Sequence, residues 1–248
     1  MNILVCISRV PDTASRIVVG SDGKTIDQQG IKFVVNPYDE IALEEGLRLR
    51  EKNGGTVTAL VIGTEISKDV LRTALAMGVD KAAIIKGNEP QDSFYVAKNI
   101  ANYAQTINPD VILLGKQSVD FDSRQMASAL GELLNLPNIS VVTKLTIEGN
   151  KVTAEKEIEG GKELVEATLP CIISTQKGLN EPRYPKLPDI MKAKSKPIEE
   201  IAPVETENKV TILDMTMPSK KRIGKIVGAE DADLDEIVKL LHEEAKVI

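Results

Sequence analysis

The residues best suited to ligand chemistry lie in Gly115–Pro137, which reads GKQSVDFDSRQMASALGELLNLP. An apolar run, Val111–Leu114, precedes them and is typical of a strand buried on both faces. Asp122 and Gln125 have the spacing of a capping box, which predicts a helix that begins near Asp122. A helix N-terminus at the carboxyl edge of a parallel sheet can bind a phosphate. The stretch could therefore form a nucleotide-binding turn, but an ordinary βα turn that binds nothing has the same pattern, and the missing glycine-rich fingerprint slightly favours it.

Side chains that could act as bases, nucleophiles or metal ligands are scarce. The single histidine, His242, lies on the charged side of the last predicted helix. Cys6 and Cys171 lie in apolar runs, where a cysteine usually acts as a small core residue, and two isolated cysteines make neither a disulfide framework nor a zinc site. We therefore expect no catalytic residues and no metal site, and the sequence favours an electron or ligand carrier over a hydrolase.

The amino-acid composition limits the classes of protein to which the chain can belong. The chain has 248 residues, of which 42% are hydrophobic, so it can build a full core. Its net charge of −6 argues against nucleic acid or an acidic membrane surface as the main partner. The N-terminus reads as a strand rather than a signal peptide, and no apolar run approaches the roughly 20 residues of a membrane span. We expect a cytoplasmic protein without a membrane span.

Strand and helix patterns alternate four times before Pro137. This alternation predicts an α/β fold with a mostly parallel, doubly wound nucleotide-binding sheet that binds ligands at the carboxyl ends of its strands. The predicted strands are Ile3–Ile7, Thr56–Ile62, Ala82–Ile85 and Val111–Leu114. The helices that follow them are predicted to begin near Asn36 or Asp39, Ser67, Ser93 and Asp122.

After Pro137 the pattern changes to hairpins. Turn signals separate Ile139–Thr146, Lys151–Ile158 and Leu164–Ala167, which predicts an antiparallel section, and Cys171–Thr175 could then return to the sheet. The stretch 176–203 is polar and rich in proline, so it must lie on a surface.

The C-terminal part is predicted to be an arm. A short strand is expected at Val210–Leu213, and the basic run Lys220–Arg222 leads to a last helix. That helix has an apolar stripe with spacing i, i+3, i+4 and i+7, which we expect to pack on a partner. The stripe consists of Leu234, Ile237, Val238 and Leu241.

Several segments together carry a family resemblance. In order and spacing the chain resembles the beta subunit of electron transfer flavoprotein over nearly its whole length. The most specific segment is Leu179–Tyr184 (LNEPRY), followed by Leu187-Pro188 and Ile190–Lys194 (IMKAK). The other matching segments are Val35–Glu45 (VNPYDEIALEE), Arg72–Gly78 (RTALAMG) and Leu114–Gln117 (LGKQ).

The resemblance implies one half of a heterodimeric electron carrier that is not itself an enzyme. An alpha subunit would hold most of an FAD, while this chain would bury an AMP and supply one wall of the flavin site. Electrons would pass from dehydrogenases to a quinone-linked oxidoreductase. The resemblance also implies a division into a nucleotide-binding domain, 1–200, with a docking loop at 176–197, and a C-terminal arm, 201–248, whose helix packs on the partner subunit.

The resemblance further implies which residues contact the nucleotide. They come from the ends of the first two large strands, from the Asn-Pro segment and from the loop after Gly115. They are Cys6, Asn36, Pro37, Tyr38, Asp39, Ile62, Gln117, Ser118, Val119, Asp120, Phe121, Asp122, Ser123, Arg124, Gln125, Met126, Ala127 and Ser128. The family usually has Thr-Gly or Val-Gly where this chain has Met126-Ala127, so we expect Ser123, Arg124 and Ser128 to compensate for the lost glycine and hydroxyl.

Two further sets of residues follow from the resemblance. Glu157 matches a carboxylate at the boundary between the subunits near the flavin, and Thr13 stands where some members place an aromatic residue beside the flavin. Leu187 matches the leucine with which the family docks on dehydrogenases, and Arg183, Lys186 and Lys192 surround it with positive charge. From the residues alone, Glu157 could equally be a solvated strand charge and Leu187 could fold back onto the sheet.

Two alternatives stay open. One is the electron-bifurcating form of the family, in which the beta subunit binds a second FAD and oxidises NADH. Its usual Asp-Gly-Asp-Thr loop is replaced here by Asp120–Ser123, where the bulk of Phe121 argues against it. The other is a stand-alone adenine-nucleotide-binding module, which would need neither an apolar tail helix nor a docking loop.

Overall fold

The computed structural model describes residues 1–87, 92–218 and 224–248. Strands β1 to β11 of this part are, in chain order, Asn2–Cys6, Arg9–Pro11, Phe33–Val35, Thr56–Gly63, Lys81–Lys86, Val111–Gly115, Asn138–Glu148, Lys151–Ile158, Gly161–Thr168, Cys171–Thr175 and Glu199–Ile201. Helices α1 to α6 are Pro37–Asn53, Lys68–Met77, Ser93–Ile107, Met126–Leu134, Leu187–Ala193 and Asp231–Lys239.

Nine of these strands form one sheet in the order β11-β5-β4-β1-β6-β10-β7-β8-β9. Every neighbouring pair from β11 to β7 is parallel, and β7, β8 and β9 pair antiparallel. Strands β2 and β3 form a separate antiparallel ribbon. The predicted α/β class, with a mostly parallel sheet and an antiparallel section, is confirmed.

The central parallel strands are buried on both faces because alternate residues of each strand enter different cores. Ile3 and Val5 pack in the core that contains residues of α1 and α2. Leu4 and Cys6 pack in the core that contains residues of α3 and α4. The chain winds outward from β1 to β5 and then returns to place β6 on the other side of β1. This reversal between β1 and β6 is a topological switch point, where open α/β sheets bind their ligands.

The helix predicted to begin at Asp122 begins four residues later. Asp122 and Arg124 both have φ of 54°, which lies in the left-handed region, and Gln125 occupies the N-cap position of α4. A capping box between Asp122 and Gln125 is therefore wrong, because residues in the left-handed region interrupt a helix.

One local prediction for the last quarter of the chain is also wrong. Val210–Leu213 pairs with no strand, since the Val210 N–H donates to the Asp92 carboxylate at 2.8 Å. The polar stretch before it does contribute a strand, because Glu199–Ile201 adds to the sheet beside β5. An edge strand exposes one side to solvent, so it needs no long apolar run.

The arm stays close to the main domain over its first part. Val204 N–H donates to the side-chain oxygen of Asn99 at 2.9 Å, and Met215 N–H donates to the carbonyl of Gly23 at 2.7 Å. Helix α6 has no buried residue, and its stripe residues Leu234 and Val238 are exposed. The run Lys220–Arg222 lies outside the described residues, and the division at residue 200 stays a prediction.

Candidate nucleotide site and docking surface

Asp39 connects the two strands at the switch point. Its side chain is 4% exposed, and its two carboxylate oxygens accept the N–H of Gly115 and the N–H of Ser8, both at 2.8 Å. Because Ser8 follows β1 and Gly115 ends β6, the first turn of α1 fixes the distance between the carboxyl ends of these strands. Asp39 therefore sets the floor of the candidate crevice.

Gly115 is required for this close approach. A Cβ atom at this position would lie 2.4 Å from Oδ1 of Asp39 and 2.6 Å from Cβ of Tyr38. Both distances are far below van der Waals contact, and neither neighbour can withdraw without opening the crevice. The glycine that ends the apolar run therefore serves the packing of α1 against β6.

Asn36 holds the loop 116–125 that follows β6. Its side-chain amide donates to the carbonyl of Gln117 at 2.8 Å, and its side-chain oxygen accepts the N–H of Val119 at 3.2 Å. Asn36 occupies the N-cap position of α1, as predicted, but its fully buried side chain makes no capping bond. The side chain serves a loop 81 residues away instead.

The loop itself suits an anion. Arg124 has a φ of 54°, and Gln125 after it has φ −101° and ψ −10°. Alternation between the left-handed and right-handed regions turns successive N–H groups to the same side, which forms an anion-binding concavity. The first turn of α4 adds free N–H groups beside it. Gln117 braces the loop, since its side chain bonds both Asp122 and Arg124.

The Met126-Ala127 departure from the family pattern does not fill this space. Ala127 is 4% exposed and packs in the core with Cys6, Leu114 and Leu130. Its methyl group therefore lies beneath the loop rather than above the start of α4. Ser123, Arg124 and Ser128, which we expect to compensate, are all exposed.

The structure distributes the predicted nucleotide residues over three degrees of burial. The buried ones are Cys6, Asn36, Asp39 and Ala127. The half-buried ones are Tyr38, Ile62, Gln117, Ser118, Val119 and Met126. The exposed ones are Pro37, Asp120, Phe121, Asp122, Ser123, Arg124, Gln125 and Ser128. Their contact with a nucleotide stays a prediction.

Neither cysteine is placed for reactivity. Burial raises the pKa of the Cys6 thiol far above its usual range, and the nearby Asp39 charge raises it further. Burial also raises the pKa of Cys171 to about 12. Since the thiolate is the reactive form, both act as core residues. In the part of the chain that the structure describes, no group of three or more His, Cys, Asp or Glu side chains is placed to hold a metal ion.

Glu157 and Thr13 are not brought to the switch point. Glu157 lies on β8, four strands along the sheet from β1, where it is exposed and pairs in register with Lys162. It lines a shallow groove with Lys144 and Lys177. Thr13 is exposed in the turn after β2. Both positions are open to a partner, and their flavin-boundary role stays a prediction.

Leu187 does not fold back onto the sheet. It is the first residue of α5 and is 73% exposed. Tyr184, Ile190 and Met191 are also exposed. Together with Leu187 they form what we call the apolar patch. Tyr184, Ile190 and Met191 are not among the docking residues predicted from the sequence, although the spacing i, i+3 and i+4 from Leu187 to Met191 is a signal for a common helix face.

The positive charges expected around Leu187 differ in whether they are already paired with a carboxylate. Lys186 and Lys192 are exposed beside the apolar patch. Arg183 instead bonds Glu44 through Nε at 2.8 Å and Glu51 through Nη1 at 2.6 Å. These hydrogen bonds raise the pKa of Arg183 above its usual range. Arg183 is therefore already paired and does not offer a free positive charge for docking.

In the part of the chain that the structure describes, no helix is both long enough and apolar enough to cross a bilayer.

The stability of the crevice should depend on pH through Asp39. Burial raises the pKa of Asp39 from 3.8 to about 7, against the lowering effect of the hydrogen bonds from Gly115, Ser8 and Asn36. Between these values the folded chain holds a proton that the unfolded chain has lost, so raising the pH favours unfolding. We expect the free energy of unfolding of the wild type, minus that of Asp39→Asn, to fall between pH 4 and 7 by at most about 1.4 kcal/mol per pH unit. Urea unfolding of both chains across this range measures it, and parallel curves would contradict the assignment.

Comparisons with known proteins decide the family. A family model described as "Electron transfer flavoprotein domain" matches residues 23–206. The chain is 42% identical over 260 residues to "Electron transfer flavoprotein subunit beta" of Bacillus subtilis (strain 168), and the match covers all of both chains. The chain belongs to the electron transfer flavoprotein beta-subunit family. Two other relatives support this membership. The "Electron transfer flavoprotein subunit beta, mitochondrial" of Oryza sativa subsp. japonica is 39% identical, with both chains fully covered.

The third relative is the human "Electron transfer flavoprotein subunit beta", which is 36% identical over 97% of this chain and 99% of that protein. The predicted membership of the electron transfer flavoprotein beta-subunit family is thus confirmed, and it supports a role in electron transfer. The matched region 23–206 contains both the crevice loop and the apolar patch. Within the family fold, these two features are connected through α1, whose first turn carries Asp39 and whose middle carries Glu44.

Proposed function

We propose that this chain is the beta subunit of a heterodimeric electron transfer flavoprotein. It assembles with an alpha subunit, receives electrons from dehydrogenases and passes them to a quinone-linked oxidoreductase, and it acts as a carrier rather than an enzyme. The observation that carries the proposal is the full-length similarity to a protein named as this subunit, at 42% identity. The cytoplasmic location predicted from the sequence belongs to the same proposal.

FAD would supply the redox chemistry, since its ring system accepts and releases the electrons. In the proposal, the alpha subunit holds most of the FAD, and this chain contributes one wall of the site. The open positions of Glu157 and Thr13 support such a boundary contact. Glu157 would place a carboxylate opposite a basic group of the partner, and the groove beside it would be closed by the assembly.

AMP is proposed to bind at the switch point between β1 and β6. The concave backbone at Arg124 and Gln125 would hold its phosphate, with the hydroxyls of Ser123 and Ser128 as further donors. Asn36 and Asp39 would act beneath it by fixing the loop and the ends of the strands. The fit rests on the loop backbone and on the position of Ala127 in the core.

AMP should stabilise the fold by mass action. At a free concentration about 100 times its dissociation constant, a ligand that binds only the folded chain raises the free energy of unfolding by roughly 2.7 kcal/mol. We therefore expect a higher melting temperature with AMP, measured by calorimetry on chain freed of nucleotide. AMP should raise the melting temperature of Arg124→Ala by less than that of the wild type. It should raise the melting temperature of Lys98→Ala, which lacks an exposed charge on α3, by as much as that of the wild type. No shift with AMP, ADP or FAD would mean that the site is empty of nucleotide.

Extraction of the nucleotides from the purified heterodimer tests the proposal as a whole. One FAD with one AMP is the expected result. Two FAD would favour the bifurcating form. The exposed, bulky side chain of Phe121 in the loop argues against that form. An adenine nucleotide on a chain that forms no complex with an alpha subunit would favour the stand-alone module.

A further inference from the structure

The segment that carries the apolar patch cannot hold its own shape. Helix α5 has only seven residues and no side-chain capping bond. A helix of this length is unstable alone, because each helix must first form a costly nucleus. Its large apolar side chains face solvent, and within α5 only Ala193 is buried. Contacts outside the patch must therefore fix the conformation of this segment, residues 180–196, which we call the docking segment.

The N-terminal end of the docking segment is attached to α1. Asn180 donates to the carbonyl of Ile41 at 3.1 Å and to the carboxylate of Glu45 at 2.9 Å. Arg183 donates to Glu44 from its backbone N–H at 3.1 Å and from Nη2 at 2.9 Å. The Glu44 side chain is 6% exposed and the Arg183 side chain is 35% exposed, so this is a partly desolvated, multiply bonded ion pair. Such a pair has one geometry and holds the chain in it.

The C-terminal end is attached to α2 and to the chain just after it. Nη1 of Arg72 donates to the carbonyl of Ala193 at 2.7 Å and to the carbonyl of Lys196 at 2.5 Å. Ala193 itself is 1% exposed and packs in the core that contains α2 residues. The Lys196 ammonium donates to the carbonyl of Val79 at 3.3 Å. A guanidinium can satisfy two carbonyls at once, which links the end of α5 to the chain beyond it.

We infer that Arg72 and Arg183 are positioning residues, which hold the docking segment at its two ends and so present the apolar patch in one conformation. The inference rests on the proposed function, within which Leu187 is the predicted anchor on dehydrogenases, and it adds residues that do not touch the partner. A patch that is already ordered before binding loses little conformational entropy on docking, so less of the binding free energy is spent on ordering it. If either attachment is lost, the apparent affinity falls in proportion to the fraction of molecules that keep the docking conformation.

The test for Arg72 uses the holo heterodimer and a dehydrogenase that reduces the wild type. Arg72→Leu should raise the apparent KM for the carrier about five- to tenfold, with kcat within about twofold. Lys98→Leu also removes one positive charge, but on α3 at the opposite face of the sheet, and should leave KM unchanged. Arg72→Lys keeps the charge and part of the bonding, and should recover part of the loss. Trypsin cleavage after Lys186 and Lys192 should be faster in Arg72→Leu than in either control.

The test for Arg183 must avoid leaving the buried carboxylate of Glu44 with only the longer contact to Nε of Arg48 at 3.6 Å, which would destabilise the domain. The double variant Arg183→Met with Glu44→Met removes both charges together and keeps the net charge. It should also raise KM and the trypsin cleavage rate, with a melting temperature close to that of the wild type. A raised KM without faster cleavage would overturn the positioning role, because the segment would then still be held.

A double-mutant cycle separates this inference from the proposed function. If Arg72 acts by placing Leu187, then Arg72→Leu should add little to the KM of Leu187→Ala, since coupled residues are not additive. An additive increase would overturn the inference and leave docking by Leu187 intact. If Leu187→Ala alone leaves KM unchanged, then the proposed docking function fails, whatever Arg72 does to cleavage.

Discussion

Deleting residues 223–248 should weaken assembly with the alpha subunit by about a thousandfold, which is roughly 4 kcal/mol for burying the stripe of α6 on the partner. Leu234 and Val238 are 52% and 57% exposed in the single chain, and Leu241 is 37% exposed. In the described part of the chain, the strand pairing and backbone hydrogen bonds that attach the arm to its own domain run from Ile201 to Met215 and precede the deletion. The main domain should therefore melt at nearly the same temperature as before.

Titration of the alpha subunit with full-length and truncated chain measures this effect. Leu234→Ser with Val238→Ser is the finer variant, because it keeps the arm and removes only the apolar face. A control with Asp235→Ser changes a neighbouring polar residue of the same helix. If the truncated chain assembles at full affinity and retains flavin, the stripe does not contact the partner, and the predicted role of the arm is wrong.

Leu187→Ala should raise the apparent KM for reduction by a dehydrogenase by thirtyfold to a hundredfold, about 2–3 kcal/mol for an interface anchor. The side chain is 73% exposed, so its loss leaves no cavity in the domain. The melting temperature and the flavin content should stay close to the wild type. A buried leucine would instead cost about 2–5 kcal/mol of stability on truncation.

Steady-state reduction of the heterodimer, with melting measured on the same samples, tests this prediction. Chemical reduction by dithionite should be equally complete in both proteins, since it needs no docking. Leu164→Ala is a matched control, because Leu164 is 66% exposed but lies on β9, away from the docking segment. A variant that melts early and yet accepts electrons as well as the wild type would show that Leu187 is structural.

The sequence by itself determined the elements and their class. Strands such as Val111–Gly115 are continuous apolar runs, and this pattern follows from burial on both faces, so it can be read locally. The alternation of strands and helices then restricted the topology to a mostly parallel sheet with its crevice at the carboxyl edge. Helix α3 begins at Ser93 and ends at Ile107, as its apolar spacing predicts.

Local patterns failed where a side chain bonds a distant part of the chain. Asn36 has the type and place of a helix cap, but it bonds Gln117, because the ends of β1 and β6 meet beside it. Asp122 and Gln125 have the spacing of a capping box, yet the loop held by Asn36 puts Asp122 in the left-handed region. The sequence cannot show which of several bonds a polar side chain will make.

The tertiary structure alone decided how two of the family segments act together. Glu44 of VNPYDEIALEE bonds Arg183 of LNEPRY across 139 residues of sequence. On sequence alone Arg183 is one more positive charge near Leu187, and Arg72 is the first residue of a matching segment with no assigned contact. Pairing over such distances depends on which helix the sheet topology places beside the docking segment. Local periodicity carries no information about that neighbour, because it records only which face of each element is buried.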